Sequence, residues 1–341
     1  MDNTIKNTLS VILIVLLFYI VSALSSILIP LVFALLLSIA FQPFVSYLIK
    51  KKIPIVIVLP TIIIISLSVI FILSLLLIYS YSQVKEELPE IITSFNLKML
   101  AFFDFFNDNF GDLTDTRIDT SFFLSYFNKD VITSFISLVV KEVGSLTTSF
   151  IMFALYFIVF LTTIANYKEF LTFVENKKDS HNFVIVFEAI QQSVSSYLKI
   201  KFIVSFITGI IVYAVCTLFG LKFAILWAFF SFTLNFIPTI GAIVAVSLPT
   251  LLALIQFDSP WNGIFLFLIL LVIKNLLGNL IEPIITGNKL HLNTITVIFG
   301  LIFWGFLWGI PGMFLSVPML VIIKLIFEQI PSISFISRLM S

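Results

Sequence analysis

Three polar side chains stand in one apolar stretch at spacings that bring them to the same side of a helix. Asn275, Asn279 and Glu282 occur at i, i+4 and i+7, within about 60° of one helical face. The amides can donate and accept hydrogen bonds, and the carboxylate can take up a proton or coordinate a cation. A carboxylate in apolar surroundings is costly unless it is partnered or hydrated, so Glu282 is a functional candidate. Alternatively, Glu282 is hydrated near the end of its helix or paired with Lys289.

Two longer apolar segments, residues 222–256 and 294–329, are each interrupted by proline and glycine. Proline cannot donate a backbone hydrogen bond, and free backbone groups are tolerated only beside protein or a water-filled cavity. Helix ends at such breaks can bind ions and polar solutes; the alternative is a pair of packed kinks without a ligand. The candidate binding residues are Asn235, Pro238, Thr239, Gly241, Gly309, Pro311 and Gly312 at the breaks and Pro283 beside Glu282, with Lys274 and Lys289 as candidate coupling or charge partners.

The amino-acid composition indicates whether these residues lie in a soluble protein or in a membrane protein. Of 341 residues, 60% are hydrophobic and 11% charged, whereas about a quarter of a soluble domain is charged. A net charge of +1 disfavours nucleic acid as a partner. The single Cys216 and the separated His181 and His291 show no metal-ligand spacing. We therefore expect a polytopic, all-α membrane protein with no metal, no cofactor and no enzymatic activity.

Hydrocarbon thickness, about 30 Å, sets the lengths of the helices. Residues 7–49 are uncharged and twice the length of one span, so we predict a break at Pro30. The predicted full spans are Leu9 to Ile29, Leu31 to Ile49, Ile55 to Tyr81, Leu146 to Ala165, Phe202 to Phe219 and Asn262 to Thr286. Together with the two broken hairpins they make about eight membrane segments.

The lysine run Lys50 to Lys52 orients these segments, because short cytoplasmic loops are enriched in Lys and Arg. Alternation from this point assigns twelve Lys/Arg and six acidic residues to the inside, and six Lys/Arg and eleven acidic residues to the outside. The pattern predicts a bacterial inner-membrane protein with both termini in the cytoplasm.

The chain divides into five parts: a three-span scaffold over residues 1–82, an extracytoplasmic insertion over 83–145, a fourth span with cytoplasmic interfacial helices over 146–201, a transport unit over 202–330 and a tail over 331–341. The insertion starts with an amphipathic helical pattern and forms either a cap packed on itself or a surface that pairs with other subunits. The transport unit repeats the order span, hairpin. The two hairpins must therefore enter from opposite sides, as in an inverted-topology repeat with its site near the midplane.

The same motifs resemble those of the autoinducer-2 exporter family, also called PerM-like permeases. The resemblance is carried by Asn235 to Gly241, Gly278 to Gly287, Gly309 to Gly312, Val317-Pro318, Gln192 to Tyr197, Leu221 and Leu292. Where the family usually has an aromatic residue and a second proline, this chain has Thr239 and Ala242, which makes the tip of the first hairpin less rigid.

The resemblance implies a secondary transporter that forms homo-oligomers, with a pentamer as the suggested order. Some relatives are implicated in export of a small furanone signal and others in sodium/proton exchange. We expect this chain to export a small polar solute or signal across the lipid bilayer by alternating access, with H⁺ or Na⁺ as the coupling ion. Sodium/proton antiport, a passive channel and a non-transporting membrane scaffold are the alternatives.

Overall fold

The computed structural model describes residues 3–114, 150–163, 181–286 and 292–341, and within these ranges the regular elements are all helical. Six helices are long and apolar enough to cross a membrane, and three shorter apolar helices accompany them. The structure therefore confirms the all-α polytopic architecture. The helices are α1 (Asn3–Ala23), α2 (Ser25–Lys50), α3 (Ile55–Thr114), α4 (Phe150–Thr163), α5 (His181–Leu218), α6 (Ala224–Leu234), α7 (Ile240–Gln256), α8 (Pro260–Lys274), a π-helical segment (Asn275–Ile281), α9 (Glu282–Thr286), α10 (Thr294–Gln329) and α11 (Ser334–Leu339).

The first two spans separate at Leu24, so the predicted break at Pro30 is wrong. Pro30 lies inside α2, near its start, where a missing N–H disturbs few helical hydrogen bonds. Tertiary contacts fix the break further upstream. The indole N–H of Trp308 donates to the Val21 carbonyl at 3.1 Å, and the Ser22 hydroxyl donates to the Leu307 carbonyl at 3.4 Å.

Two predicted boundaries lie inside continuous helices. The third span runs on through the first part of the insertion as α3, whose 60 residues would extend about 90 Å. Residues 181–201, expected as separate interfacial helices, form the beginning of α5. Glycine and proline are absent between His181 and Gly209, so nothing in this sequence ends the helix. Residues 115–145 of the insertion and 166–180 lie outside the described residues, whereas α4 lies within the predicted fourth span.

Helix α5 is the central element that joins the front of the chain to the back. One buried apolar cluster unites α2, α5 and α10 through Leu36, Val194 and Leu315. A second buried apolar cluster unites α5 with α6, α7 and α8. It includes Val212, Trp227, Val246 and Leu266. Burial of these apolar side chains stabilises the packing of α5 against both hairpins.

Both predicted breaks exist. The first hairpin is α6 and α7, separated by residues 235–239. The second lies within α10, where Gly309 adopts φ 64° and ψ −144°, a backbone conformation open to glycine. The rings of Phe236, in the first break, and Phe314, after the second, stack with centroids 5.8 Å apart. The two breaks thus approach each other.

Candidate functional site

A cavity of about 590 Å³ lies at the break of the first hairpin. Its walls come from α5, the first hairpin, α8 with the π-helical segment, and one residue each of α9 and α10. The lining residues are Tyr197, Lys201, Asn235, Ile237, Pro238, Thr239, Ala242, Ile243, Val246, Ser247, Phe267, Leu271, Lys274, Asn275, Gly278, Asn279, Glu282 and Val317.

A chain of polar side chains connects α8, the first hairpin and α5 beside this cavity. Lys274 donates from Nζ to Oδ1 of Asn235 at 2.7 Å, and Nδ2 of Asn235 donates to the Ser205 hydroxyl at 3.0 Å. All three residues are buried. Along their helices they lie about 16 to 21 Å from Ala224, Leu218 and Pro260, which is more than half of a hydrocarbon thickness of about 30 Å.

An ion pair joins α5 to the first residue of α9, further from Leu218 along α5 than Ser205 is. Lys201 Nζ contacts both carboxylate oxygens of Glu282, at 2.7 and 2.9 Å. The Lys201 side chain is 9% exposed and that of Glu282 19%. The carboxylate is therefore paired within the protein, with Lys201. The predicted alternative partner, Lys289, lies outside the described residues.

Lys201 lines the cavity and contacts Glu282, and it is not among the candidate residues predicted from the sequence. The sequence pattern places Lys201 at the end of a predicted interfacial segment, but its spacing carries a further signal. Lys201, Ser205 and Thr208 repeat the i, i+4, i+7 spacing of the asparagine and glutamate set, and all three are buried. A polar stripe on one apolar helix facing a polar stripe on another is typical of a buried interhelical network.

Asn275 and Asn279 lie on the π-helical segment. Asn279 donates from Nδ2 to Oδ1 of Asn275 at 2.8 Å, and Asn275 donates to the Leu271 carbonyl at 2.9 Å. Short π-helical segments inside helices are frequent at functional sites. Asn275, Asn279 and Glu282 all line the cavity, as their predicted common face requires.

The tip of the first hairpin is strained and tightly packed. Thr239 has φ 60° and ψ −64°, an outlier for a β-branched residue. Backbone strain of this kind clusters at functional sites. Gly241 lies against the Leu234 carbonyl so closely that a Cβ atom would collide with it. The break therefore brings Thr239, Pro238 and Asn235 to the cavity wall.

The second hairpin contributes less to the cavity than predicted. Among the described residues, the lining includes Val317 but not Gly309, Pro311, Gly312 or Pro283. Gly312 nevertheless repeats the packing of Gly241, because a Cβ atom there would collide with the Trp304 carbonyl. Both breaks therefore contain a glycine packed against a backbone carbonyl, but among the described residues only the first break lines this cavity.

The other end of the first hairpin is held by α3. Lys98 donates to the carbonyls of Leu254, at 2.8 Å, and Phe257, which suits a cation at a helix carboxyl end. Lys222, between α5 and α6, pairs with Glu90 at 2.8 Å and Glu87 at 3.3 Å. The hydrogen bond to Glu90 raises the pKa of Lys222. The extension of α3 beyond the third span is therefore docked on the hairpin base.

Long apolar helices, a broken hairpin and a polar cavity at half-helix depth define an integral membrane protein of the transporter type. The sequence pattern described as AI-2E family transporter matches residues 9–332. The chain therefore belongs to the AI-2E transporter family, as the motifs had indicated.

Individual relatives agree with this assignment. A Borreliella burgdorferi protein provisionally named as a transport protein is 33% identical over 302 residues, which cover 88% of this chain and 81% of the relative. The AI-2 transport protein TqsA of Escherichia coli is 39% identical over 137 residues, 40% of each chain. A permease of the same organism, provisionally named PerM, is 25% identical over 146 residues, or 43% of this chain and 41% of the relative.

Proposed function

We propose that this chain is a secondary transporter that exports a small polar solute or signalling molecule by alternating access, with the cavity at the first hairpin as its binding site. One observation carries the proposal: Asn235, Lys274, Asn279 and Glu282 converge on a single cavity beside a broken helix. Polar groups are expensive at this depth unless they are paired or solvated. The name of TqsA makes an AI-2-like molecule the first solute to test.

The chemistry of the cavity suits reversible binding of a polar solute. The Thr239 hydroxyl and the Asn279 amide can exchange hydrogen bonds with water or with a ligand. The Lys201–Glu282 pair is the proposed coupling centre, because protonation of Glu282, or binding of Na⁺ to it, would release Lys201. In this mechanism, an ion gradient drives transport of the solute by breaking and re-forming the Lys201–Glu282 pair.

The proposed motion is a displacement of the first hairpin relative to α5. The tip of this hairpin carries Thr239 in a strained conformation, and its base is attached to α3. Alternating access would open the cavity first to one side and then to the other. We further propose that the chain lies in a bacterial inner membrane with both termini cytoplasmic and works as a homo-oligomer, in keeping with the charge asymmetry and the family resemblance.

Two linked measurements test export. Metabolites in the medium are compared between cells that lack the protein and cells that overproduce it, and the metabolite that changes most is then assayed for flux in proteoliposomes. We expect accumulation against its gradient, lost in Glu282→Gln and retained in Glu328→Gln, a glutamate outside the cavity. Equilibration without accumulation would indicate a passive channel, and no change in any metabolite would reject export.

Sodium/proton antiport is the second candidate, because a carboxylate lines the cavity. An imposed proton gradient that drives no sodium flux in proteoliposomes would remove it. A non-transporting scaffold predicts a different pattern: Pro238→Ala with Pro311→Ala would leave function intact, and deletion of residues 86–140 would abolish it. Export predicts loss of flux in the double proline variant.

A further inference from the structure

The charges that line the candidate cavity do not balance. Among the described lining residues are two lysines, Lys201 and Lys274, and one carboxylate, Glu282. Lys201 and Glu282 neutralise each other at 2.7 Å. Lys274 hydrogen-bonds instead to Asn235, a neutral amide, and no carboxylate of the described chain lies within ion-pair distance of it. The cavity therefore holds one ammonium group in excess.

This ammonium group is only partly satisfied by the protein. Lys274 has three N–H donors, and the structure gives one of them to Asn235 Oδ1. Asn235 is itself fixed by Ser205, so its oxygen is held toward Lys274. A buried charge is stabilised when an opposite charge meets it, and a neutral amide supplies only a dipole. A bound anion would supply the missing charge and accept the remaining hydrogen bonds.

The other residues that line the cavity indicate the size and polarity of the rest of the ligand. Apolar side chains also line the cavity, together with the amides of the π-helical segment. The apolar group consists of Ile237, Ile243, Val246, Phe267 and Leu271. A cavity of about 590 Å³ is within the range of sites for small organic molecules, about 300 to 1,000 Å³.

We infer that this cavity binds a small organic monoanion, with its carboxylate on Lys274 and its apolar body against the α7 and α8 side chains. The inference rests on the proposed transport function, for which it names the substrate class. Lys274 is then the residue that selects for charge. Glu282 opposes the same ligand, because it occupies Lys201, the other cation that could meet a carboxylate.

The test uses the full chain in nanodiscs of zwitterionic phosphatidylcholine and follows thermal unfolding. The probes are two carboxylates, hexanoate and benzoate, and their neutral amides, hexanamide and benzamide. We expect the carboxylates to raise Tm and the amides to have no effect. Lys274→Gln should weaken carboxylate binding about tenfold or more, since a charge-assisted hydrogen bond is lost. Lys324→Gln, a buried lysine outside the cavity, is the matched control and should bind as the unaltered protein does.

Two further variants protect the test from a folding defect. Lys274→Arg keeps the charge and should retain the preference for carboxylates over amides. Glu282→Gln should bind carboxylates more tightly than the unaltered protein, a gain that a merely structural glutamate would not produce. Equal protection by amides, unchanged carboxylate binding in Lys274→Gln, or no binding of either carboxylate would overturn the inference. So would loss of the effect when phosphatidylglycerol is added, because the site would then belong to a lipid headgroup.

The outcome is separable from that of the transport experiment. Flux of a neutral solute without carboxylate binding would refute the anion site and leave transport standing. Carboxylate binding without flux of any metabolite would refute transport and leave the site standing.

Discussion

Lys274 and Asn235 are 39 residues apart in the chain, yet Nζ of the lysine donates a 2.7 Å hydrogen bond to Oδ1 of the asparagine. The contact joins Lys274, near the middle of the span Pro260–Ile285, to Asn235 at the carboxyl end of α6, where the first hairpin breaks. It is also the point at which α5 enters the network, because Asn235 donates in turn to Ser205. Three elements, α5, the first hairpin and α8, therefore share one hydrogen-bond chain.

Removal of Asn235 should destabilise the protein. Asn235→Ala leaves the buried Lys274 ammonium without its protein acceptor, at a cost of about 1 to 3 kcal/mol. Thermal or chemical unfolding of the purified protein measures the effect. Asn262→Ala, an exposed asparagine at the start of α8, is the control and should change stability by less than about 0.5 kcal/mol. Equal stability of the two variants would contradict the buried network.

The Lys201–Glu282 pair should tolerate exchange better than loss of one partner. Lys201→Met leaves a largely buried carboxylate unpaired, which costs about 3 to 5 kcal/mol in buried pairs. The exchange Lys201→Glu with Glu282→Lys keeps both charges and should recover much of that stability. Unfolding measurements of Lys201→Glu, Glu282→Lys, the exchange variant that combines them and the parent form a double-mutant cycle. A coupling energy near zero would mean that the pair is not formed in the membrane.

Replacement by glycine should stabilise the protein at Thr239 and destabilise it at Thr233. Its φ of 60° carries strain of about 1 to 3 kcal/mol in a β-branched residue, and glycine adopts this conformation without a Cβ penalty. Thr239→Gly should therefore raise Tm while it lowers transport, since the hydroxyl at the cavity wall is lost. Thr233→Gly, inside α6, is the opposite case and should lower Tm by the helix cost of glycine. A lower Tm for Thr239→Gly would argue against the strained tip.

Gly241 and Gly278 should respond in opposite ways to alanine. A Cβ atom at position 241 meets the Leu234 backbone, which cannot move without opening the hairpin turn, whereas one at position 278 meets nothing within 4 Å. Gly241→Ala should lower the yield of folded protein or its Tm sharply, and Gly278→Ala should be neutral or raise Tm. Size-exclusion profiles and unfolding curves report both. An unaltered Gly241→Ala protein would mean that the turn has another geometry.

The attachment of α3 to the hairpin base should be local and weak. Lys98→Gln removes the cation from the carboxyl end of α7, and Lys222→Gln removes the partner of Glu90 and Glu87. Exposed ion pairs contribute about 0 to 1 kcal/mol, so Tm should change little. Amide hydrogen exchange at residues 252–257 should nevertheless increase in Lys98→Gln. Lys85→Gln, on the same extension, is the control, and equal exchange in both variants would refute the attachment.

The amino-acid sequence by itself determined the membrane environment, the helical class, the position of both breaks and the common face of Asn275, Asn279 and Glu282. Each of these follows from a local rule: an apolar stretch must form a helix in lipid, proline and glycine interrupt it, and spacing fixes the face. The family motifs are likewise local.

Only the tertiary structure decided which residues meet across helices. The partner of Glu282 proved to be Lys201 and that of Lys274 proved to be Asn235, at separations of 81 and 39 residues. The break between α1 and α2 moved to Leu24 because Trp308 and Leu307 bind there. These contacts depend on how helices pack, and helical periodicity fixes the face of a side chain but not the helix that it faces.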